Sequence, residues 1–360
     1  MEKVGVHALH LKRVTWIAFL AGLAAFVLLV GYHGLGEVAA ALAVAGWGLP
    51  LIAAAHIVPM GAEALGWRYL IDPAHRPGFR TMLWGRWIGE AVDNLLPVAQ
   101  VGGDLVRIRL FRTLGMPAAV VAASLVADIT LTVVTLIGFT LFGLVLLAAY
   151  VTGDGPLLLL ALVIPVSALL IGGFYLVQQR GLFGGVTRLL QRVVGPLDAR
   201  LVDGAEALDR ENRRIYARRK DVLRSAFWLS AAWVLGTFEV WLALWLLGYP
   251  VSLLEALLIE SLVQAVRTAA FLIPGALGVQ EGGFLALGML LSLPPEAALA
   301  LALTRRVREL AFGIPGILAW QWCEARRLWR WGRGSRAPAA DAARTVPEKA
   351  AKLVEGRSTP

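Results

Sequence analysis

The chain is expected to be an all-α polytopic membrane protein with inverted repeats, each carrying a re-entrant broken-helix hairpin. Three observations predict this: long charge-poor windows, arginines gathered in particular loops, and a proline-containing polar motif that occurs twice. The 360 residues are 58% hydrophobic, with mean hydropathy +0.69. Val14–Tyr32, Pro156–Val177 and Ala226–Leu247 each approach the ~20 residues that cross about 30 Å of hydrocarbon. Only helices and closed barrels satisfy their backbone in lipid, and these runs lack the alternation of barrel strands.

The order of elements follows from charge. Lys12 and Arg13 hold the N-terminus in the cytoplasm, and the first apolar run is read as an uncleaved helix rather than a signal peptide. The loop to Gly46 carries only Glu37, as an outer loop should. A second span, about Trp47–Ile71, returns to Arg68, Arg76, Arg80 and Arg86. Arg107, Arg109 and Arg112 also read as cytoplasmic. Residues 87–105 must therefore enter and leave on one side, and they are too few for two crossings. Pro117–Tyr150 leads out, Asp154 marks an outer loop, and 156–178 returns. Residues 180–224 hold 11 Lys/Arg against 6 Asp/Glu, the strongest inside signal. Leu182, Val186, Leu189, Val193, Leu197, Leu201 and Leu208 recur there at helical spacing, divided by Gly195-Pro196. They predict two amphipathic helices on the inner leaflet or a cytoplasmic hairpin packed on itself. Ala226–Leu247 leads out again. Val251–Ile273 and Gly275–Leu293 form an apolar pair broken at Pro274-Gly275, either re-entrant or fully spanning. After Pro294-Pro295, residues 296–322 return to Arg326, Arg327, Arg330 and Arg333. The membrane domain is thus 1–331, with repeats at about 47–150 and 224–322 joined through the linker 180–224. Residues 332–360 have the composition of a disordered tail. Both termini are expected in the cytoplasm, with the domain in a bacterial inner membrane.

"LLPVAQVGGD" (95–104) aligns with "LIPGALGVQE" (272–281) at an offset of 177. Pro97 falls on Pro274, Asp104 on Glu281, Pro117 on Pro294, Asp128 on Arg305 and Glu90 on Arg267. The span before the first copy runs inward and the span before the second runs outward, so the repeats are inverted. Broken helices in inverted repeats place substrate sites near the midplane. Polar residues gather at the breaks. Arg86, Glu90 and Asn94 share one helical stripe, with Asp93 beside it, and Gln100, Asp104 and Arg107 follow. Glu260, Gln264 and Arg267 form a second stripe, followed by Gln280 and Glu281. Asp128 lies in an apolar span. Intramembrane charges of this kind usually mark function. Arg86, Glu90, Asn94, Gln100, Asp104, Arg107, Asp128, Gln264, Arg267, Gln280, Glu281 and Arg305 are the candidate substrate-binding residues. Arg305 and Glu309, at i,i+4, are expected to form an ion pair, with Arg306 and Arg308 alongside. Asp104 also suits an N-cap for a helix starting at Leu105.

Other chemistries lack their signatures. Cys323 is the single cysteine, and His7, His10, His33, His56 and His75 are scattered without metal-ligand spacing. No GxSxG, HExxH or P-loop occurs, so no cofactor, metal or ATP hydrolysis is expected. The +9 net charge reads as topology signal and attraction to anionic headgroups, not nucleic-acid binding.

"RWIGEAVDNLLPVAQVGGDLVRIRLFRTLG" (86–115) and "FLIPGALGVQEGGF" (271–284) resemble the transmembrane region of lysylphosphatidylglycerol synthases, the flippase-like membrane family. "AVDNLLPVAQVGGD" looks most like its hopanoid-biosynthesis-associated branch. The resemblance covers roughly 10–325. It implies a helical bundle with re-entrant hairpins and a role in handling lipids between leaflets, with hopanoid or anionic phospholipid as partner. Lipid-synthesis enzymes are possible further partners. The full synthases add a soluble aminoacyl-transfer domain, which has no counterpart in these 360 residues, so lysyl transfer is not expected. A non-enzymatic lipid translocator is the leading reading. A secondary transporter of a small polar solute, a membrane enzyme acting on lipid, and a scaffold for lipid-synthesis enzymes are the alternatives.

Overall fold

The computed structural model describes residues 46–96, 102–150, 199–270 and 276–334, with isolated positions at 43, 164–166, 169 and 273. The predicted helix over 14–32, nearly all of the return span over 156–178, the linker up to 198, the break residues Pro97, Gln100, Pro274 and Gly275, and the tail beyond 334 lie outside them. Two compact units result, Met1–Ile314 and Pro315–Pro360.

Among the described residues all regular structure is helical. The second predicted span forms as α1 (Gly48–Ala55) and α2 (Ile57–Leu70), joined at His56. Pro59 has no N–H to offer the Ala55 carbonyl, so the helical ladder opens around that join. Helices α3 (Phe79–Leu95) and α4 (Gly102–Thr113) flank the first break. They are followed by α5 (Ala118–Tyr150), α6 (Ala199–Ala217) and α7 (Arg219–Leu246). Helices α8 (Leu253–Ala269) and α9 (Val279–Leu290) flank the second break, and α10 (Pro295–Gly334) closes the series. Ser252 starts α8 with a reciprocal cap: its hydroxyl accepts from the Glu255 N–H at 3.2 Å, and Glu255 accepts from the Ser252 N–H at 2.6 Å.

Gly48–Leu70, Ala118–Ala149 and Arg219–Leu246 are long and apolar enough to cross a membrane. They correspond to the predicted spans at Trp47–Ile71, Pro117–Tyr150 and Ala226–Leu247. The last begins seven residues early, because Arg219, Lys220 and Arg224 sustain a helix as well as apolar residues do. Leu51, Val58, Val133, Phe142, Phe238 and Trp245 on these spans are exposed, as side chains facing lipid tails would be. The α1–α2 span runs antiparallel to α7, with Gly48 against Leu246 and Gly66 against Leu229. Leu208 and Ile215 of α6 pack on Ala123, Ala127 and Leu131 of α5. The described part of the linker thus packs its apolar stripe on a span.

The flanking pairs match in size. α3 and α8 have 17 residues each, and α4 and α9 have 12 each. α9 and α10 start 177 residues after α4 and α5, at 279 against 102 and 295 against 118.

The C-terminal end of α2, buried at Leu70 and Ile71, needs partners for its last carbonyls. Arg218 donates to the Leu70 carbonyl at 2.9 Å and the Ile71 carbonyl at 3.2 Å, while Arg76 donates to Tyr69 at 3.2 Å. Arg218→Ala should lower stability by about 1–2 kcal/mol, since it strips the Leu70 carbonyl of its charged donor, while the Ile71 carbonyl keeps Arg76. A thermal melt in detergent measures this; an unchanged midpoint would refute the cap.

Candidate functional site

Three glycines set the geometry of the first hairpin. Gly85 and Gly89 of α3 are a turn apart, and Gly103 lies across from them on α4. Phe111 fills the space over Gly85, Arg107 that over Gly89, and the Gly89 carbonyl that over Gly103. Small residues at i,i+4 let helix backbones approach this closely. The helices run antiparallel, and the Asp93 carboxylate accepts the Gly103 N–H at 2.8 Å. Arg107 reaches back to Asp104 at 2.7 Å and lies 5.9 Å from the Trp67 ring. Asp104 is the third residue of α4, which starts at Gly102 and not at Leu105. The predicted N-cap role is thereby corrected: the glycine pair continues the helix three residues further back than side-chain propensity suggests. Lower on α3, Arg86 bridges Glu63 of α2 at 2.9 Å and Asp128 of α5 at 2.6 Å.

At the second break, Glu281 turns back to accept the Gly278 N–H at 2.7 Å, where the backbone has φ +77°. Arg306 of α10 donates to the same carboxylate at 2.8 Å and to Glu309 at 2.7 Å. Glu260 of α8 takes Arg305 of α10 as a buried ion pair and accepts from Gln264 at 2.7 Å. The predicted Arg305–Glu309 pair does not form. Each finds its partner on another helix: Arg305 on Glu260, and Glu309 on Arg267 at 3.1 Å as well as on Arg306 within α10. Spacing within one helix reveals only the neighbours that helix supplies.

The C-terminal ends of α3 and α8 meet. Arg267 donates to the Asn94 side-chain oxygen at 3.0 Å. One turn below, the Glu90 carboxylate lies 2.9 Å from His56 Nε2. His56 Nδ1 lies 3.0 Å from the Glu239 carboxylate of α7, which also holds Arg308 of α10 as a buried ion pair. The result is a polar network among five helices, two of which, the α1–α2 span and α7, are long and apolar enough to cross a membrane.

The candidates divide into two groups. Arg86 pairs directly with Asp128 and also with Glu63, and Asp104 and Arg107 sit beside Asp93. Glu90, Asn94, Gln264, Arg267, Glu281 and Arg305 join the network where the helix ends meet. Gln280 is fully buried, and among the described residues neither end of its amide finds a hydrogen-bond partner. Gln100 lies outside the described residues. Sequence reasoning did not select Glu63, His56 or Glu239 and left Arg306 and Arg308 as bystanders. A lone ionisable residue in an apolar span was the available signal for Glu63 and Glu239. For His56 it was the adjoining Pro59. The Arg305–Glu260 side chains are 3% and 2% exposed, while Glu90 is 26%, Asp104 17% and Arg267 15%. The accessible rim is thus formed by the latter three, over a buried ion-paired floor. Among the described residues no group of three His, Cys, Asp or Glu side chains is placed to hold a metal ion.

Comparison with curated proteins and with solved structures gave no match. The family model for the lysylphosphatidylglycerol synthase transmembrane region matches residues 16–316, which include every helix of the network. By that match over most of its length, the chain belongs to the lysylphosphatidylglycerol synthase transmembrane-region family.

Proposed function

We propose that this protein carries lipid headgroups between the leaflets of a bacterial inner membrane, and that it does so by transport rather than catalysis. The observation that carries the reading is the meeting of two broken helices, through Asn94 and Arg267, inside an otherwise apolar bundle. Family membership ties the chain to lipid-related processes. Helix lengths support re-entrance on both sides. α4 and α9, 12 residues each, extend only about 18 Å against about 30 Å of hydrocarbon, so each hairpin returns to the side it came from. Adding 177 to α2 gives 234–247, essentially the end of α7, and these two helices pack antiparallel. Inverted repeats require that relation. Both termini would then be cytoplasmic.

The charges favour certain heads. The carboxylates of Glu63, Glu90, Asp93, Asp104, Asp128, Glu239, Glu260, Glu281 and Glu309 outnumber Arg86, Arg107, Arg267, Arg305, Arg306 and Arg308. A phosphate must therefore exchange places with a carboxylate on an arginine such as Arg267. A hydroxyl-rich or amine-bearing head, as on a polar hopanoid or an aminoacylated lipid, meets free acceptors directly. The tails would stay in the surrounding hydrocarbon. Lipid-synthesis enzymes are natural partners for such a carrier.

Proteoliposomes containing headgroup-labelled lipids test this. Asp104→Asn with Glu281→Gln keeps the shapes and the Gly278 cap while removing two charges. It should slow lipid movement about tenfold or more, the equivalent of one lost charge-assisted hydrogen bond. Full activity in the double variant, or no movement of any labelled lipid by the natural protein, would refute the reading.

A further inference from the structure

His56 stands at the join of α1 and α2, where Pro59 has loosened the backbone, and three other helices face it with charge. Its Nε2 lies 2.9 Å from the Glu90 carboxylate of α3. Its Nδ1 lies 3.0 Å from the Glu239 carboxylate of α7, and equally 3.0 Å from the Arg308 guanidinium of α10. Phe312 of α10 closes the ring edge-on at 5.6 Å. These are the groups around the imidazole, with Asn94 of α3 reaching it only through Glu90, 3.5 Å away.

The two neighbours of Nδ1 make incompatible demands. A guanidinium only donates, so it needs the Nδ1 lone pair. A carboxylate only accepts, so it needs an N–H there. With Nε2 carrying the hydrogen toward Glu90, neutral His56 accepts from Arg308 and has nothing to offer Glu239. A proton added at Nδ1 ends the Arg308 bond. The new N–H then donates to Glu239, and Arg308 stays on the other Glu239 oxygen. The imidazolium now bridges Glu90 and Glu239, tying the first hairpin to a span of the second repeat. Charge accounting agrees with a proton here. Glu90, Glu239, Glu260, Glu281 and Glu309 face Arg267, Arg305, Arg306 and Arg308 in this group. One proton on His56 balances that set, and its loss leaves an unmatched carboxylate at membrane depth.

We infer that His56 is a proton-binding site, and that its occupancy decides whether the α3 hairpin is tied to α7. Proton uptake from one side and release to the other would then drive the lipid step. That coupling rests on the function proposed above; the protonation site does not. Balance is simple: one proton enters from water at Nδ1, one leaves to water, and no other bond changes.

The site itself is tested in lipid nanodiscs with nitrogen-15-labelled imidazole, using His56→Gln to identify the His56 signal. The expected result is a change between neutral tautomer and imidazolium within about pH 5 to 9. Glu239→Gln, which keeps an acceptor beside Nδ1 but removes its negative charge, should move the pH of that change. A signal fixed in one protonation state over the whole range, or unmoved by Glu239→Gln, overturns the proposal. The coupling is tested in proteoliposomes. A gradient of about one pH unit should bias the rate of labelled-lipid movement by up to about tenfold between its two directions, and His56→Gln should remove the bias. A titrating His56 in a protein that moves no lipid would leave the proton site standing and overturn the transport reading.

Discussion

Glu260→Ala is expected to destabilise the protein by about 3–5 kcal/mol, the range for removing one partner of a buried ion pair. Glu260 is 2% exposed and holds both Arg305, 4% exposed, and Gln264. Without the carboxylate, the guanidinium keeps the Phe284 ring, 5.3 Å from its centre. Its NH1 already lacks a hydrogen-bond partner among the described residues. Most of the loss comes from leaving a cation buried without water or a counter-charge, and the lost attraction is secondary. The double variant Glu260→Leu with Arg305→Met removes both charges and fills similar volume, so it should recover most of the stability. Thermal unfolding in detergent separates the cases. A mild effect of Glu260→Ala, within about 1 kcal/mol of the natural protein, would mean that Arg305 reaches water and that the network floor is open.

The parts legible in sequence were those with a period or a composition. The spans around Gly48–Leu70, Ala118–Ala149 and Arg219–Leu246 follow from hydropathy, because lipid imposes one requirement on every residue of a span. The motif recurs in the sequence, Pro97 and Asp104 as Pro274 and Glu281 at one offset, and the helix starts at 102 and 279 keep that offset. Partner choice was not legible. Arg305 faces Glu260, 45 residues away, and Glu239 faces His56, 183 residues away. A stripe of charges states which side of a helix is polar, not which helix will lie against it. His56 was passed over for a related reason. A histidine without a second ligand nearby in sequence looks solitary, and its neighbours are assembled only when α3, α7 and α10 close around it.

Gly103→Ala should destabilise the first hairpin by about 3 kcal/mol. A methyl group on Gly103 would overlap the Gly89 carbonyl oxygen and the Asp93 carboxylate. Backbone cannot step aside as a flexible side chain can, so α3 and α4 must separate, at the ~1–3 kcal/mol typical of overpacking. Separation also stretches the bond from the Gly103 N–H to Asp93, now 2.8 Å, and bonds to a charged group contribute about 1.5–3 kcal/mol. The second hairpin supplies the control. Gly282 of α9 has nothing within 4 Å of where a methyl group would stand, so Gly282→Ala should be neutral or stabilising by up to about 1 kcal/mol, as alanine is in a helix. Equal melting temperatures for the two variants would show that α3 and α4 do not touch at Gly89. The contrast has a physical origin in how the hairpins are held. The second is spaced by side chains, since a methyl group on Gly283 would stand 3.6 Å from Val266, and side chains can give. The first is held by the Gly89 backbone against Gly103, so a single methyl group is enough to displace Asp93 and Arg107 together.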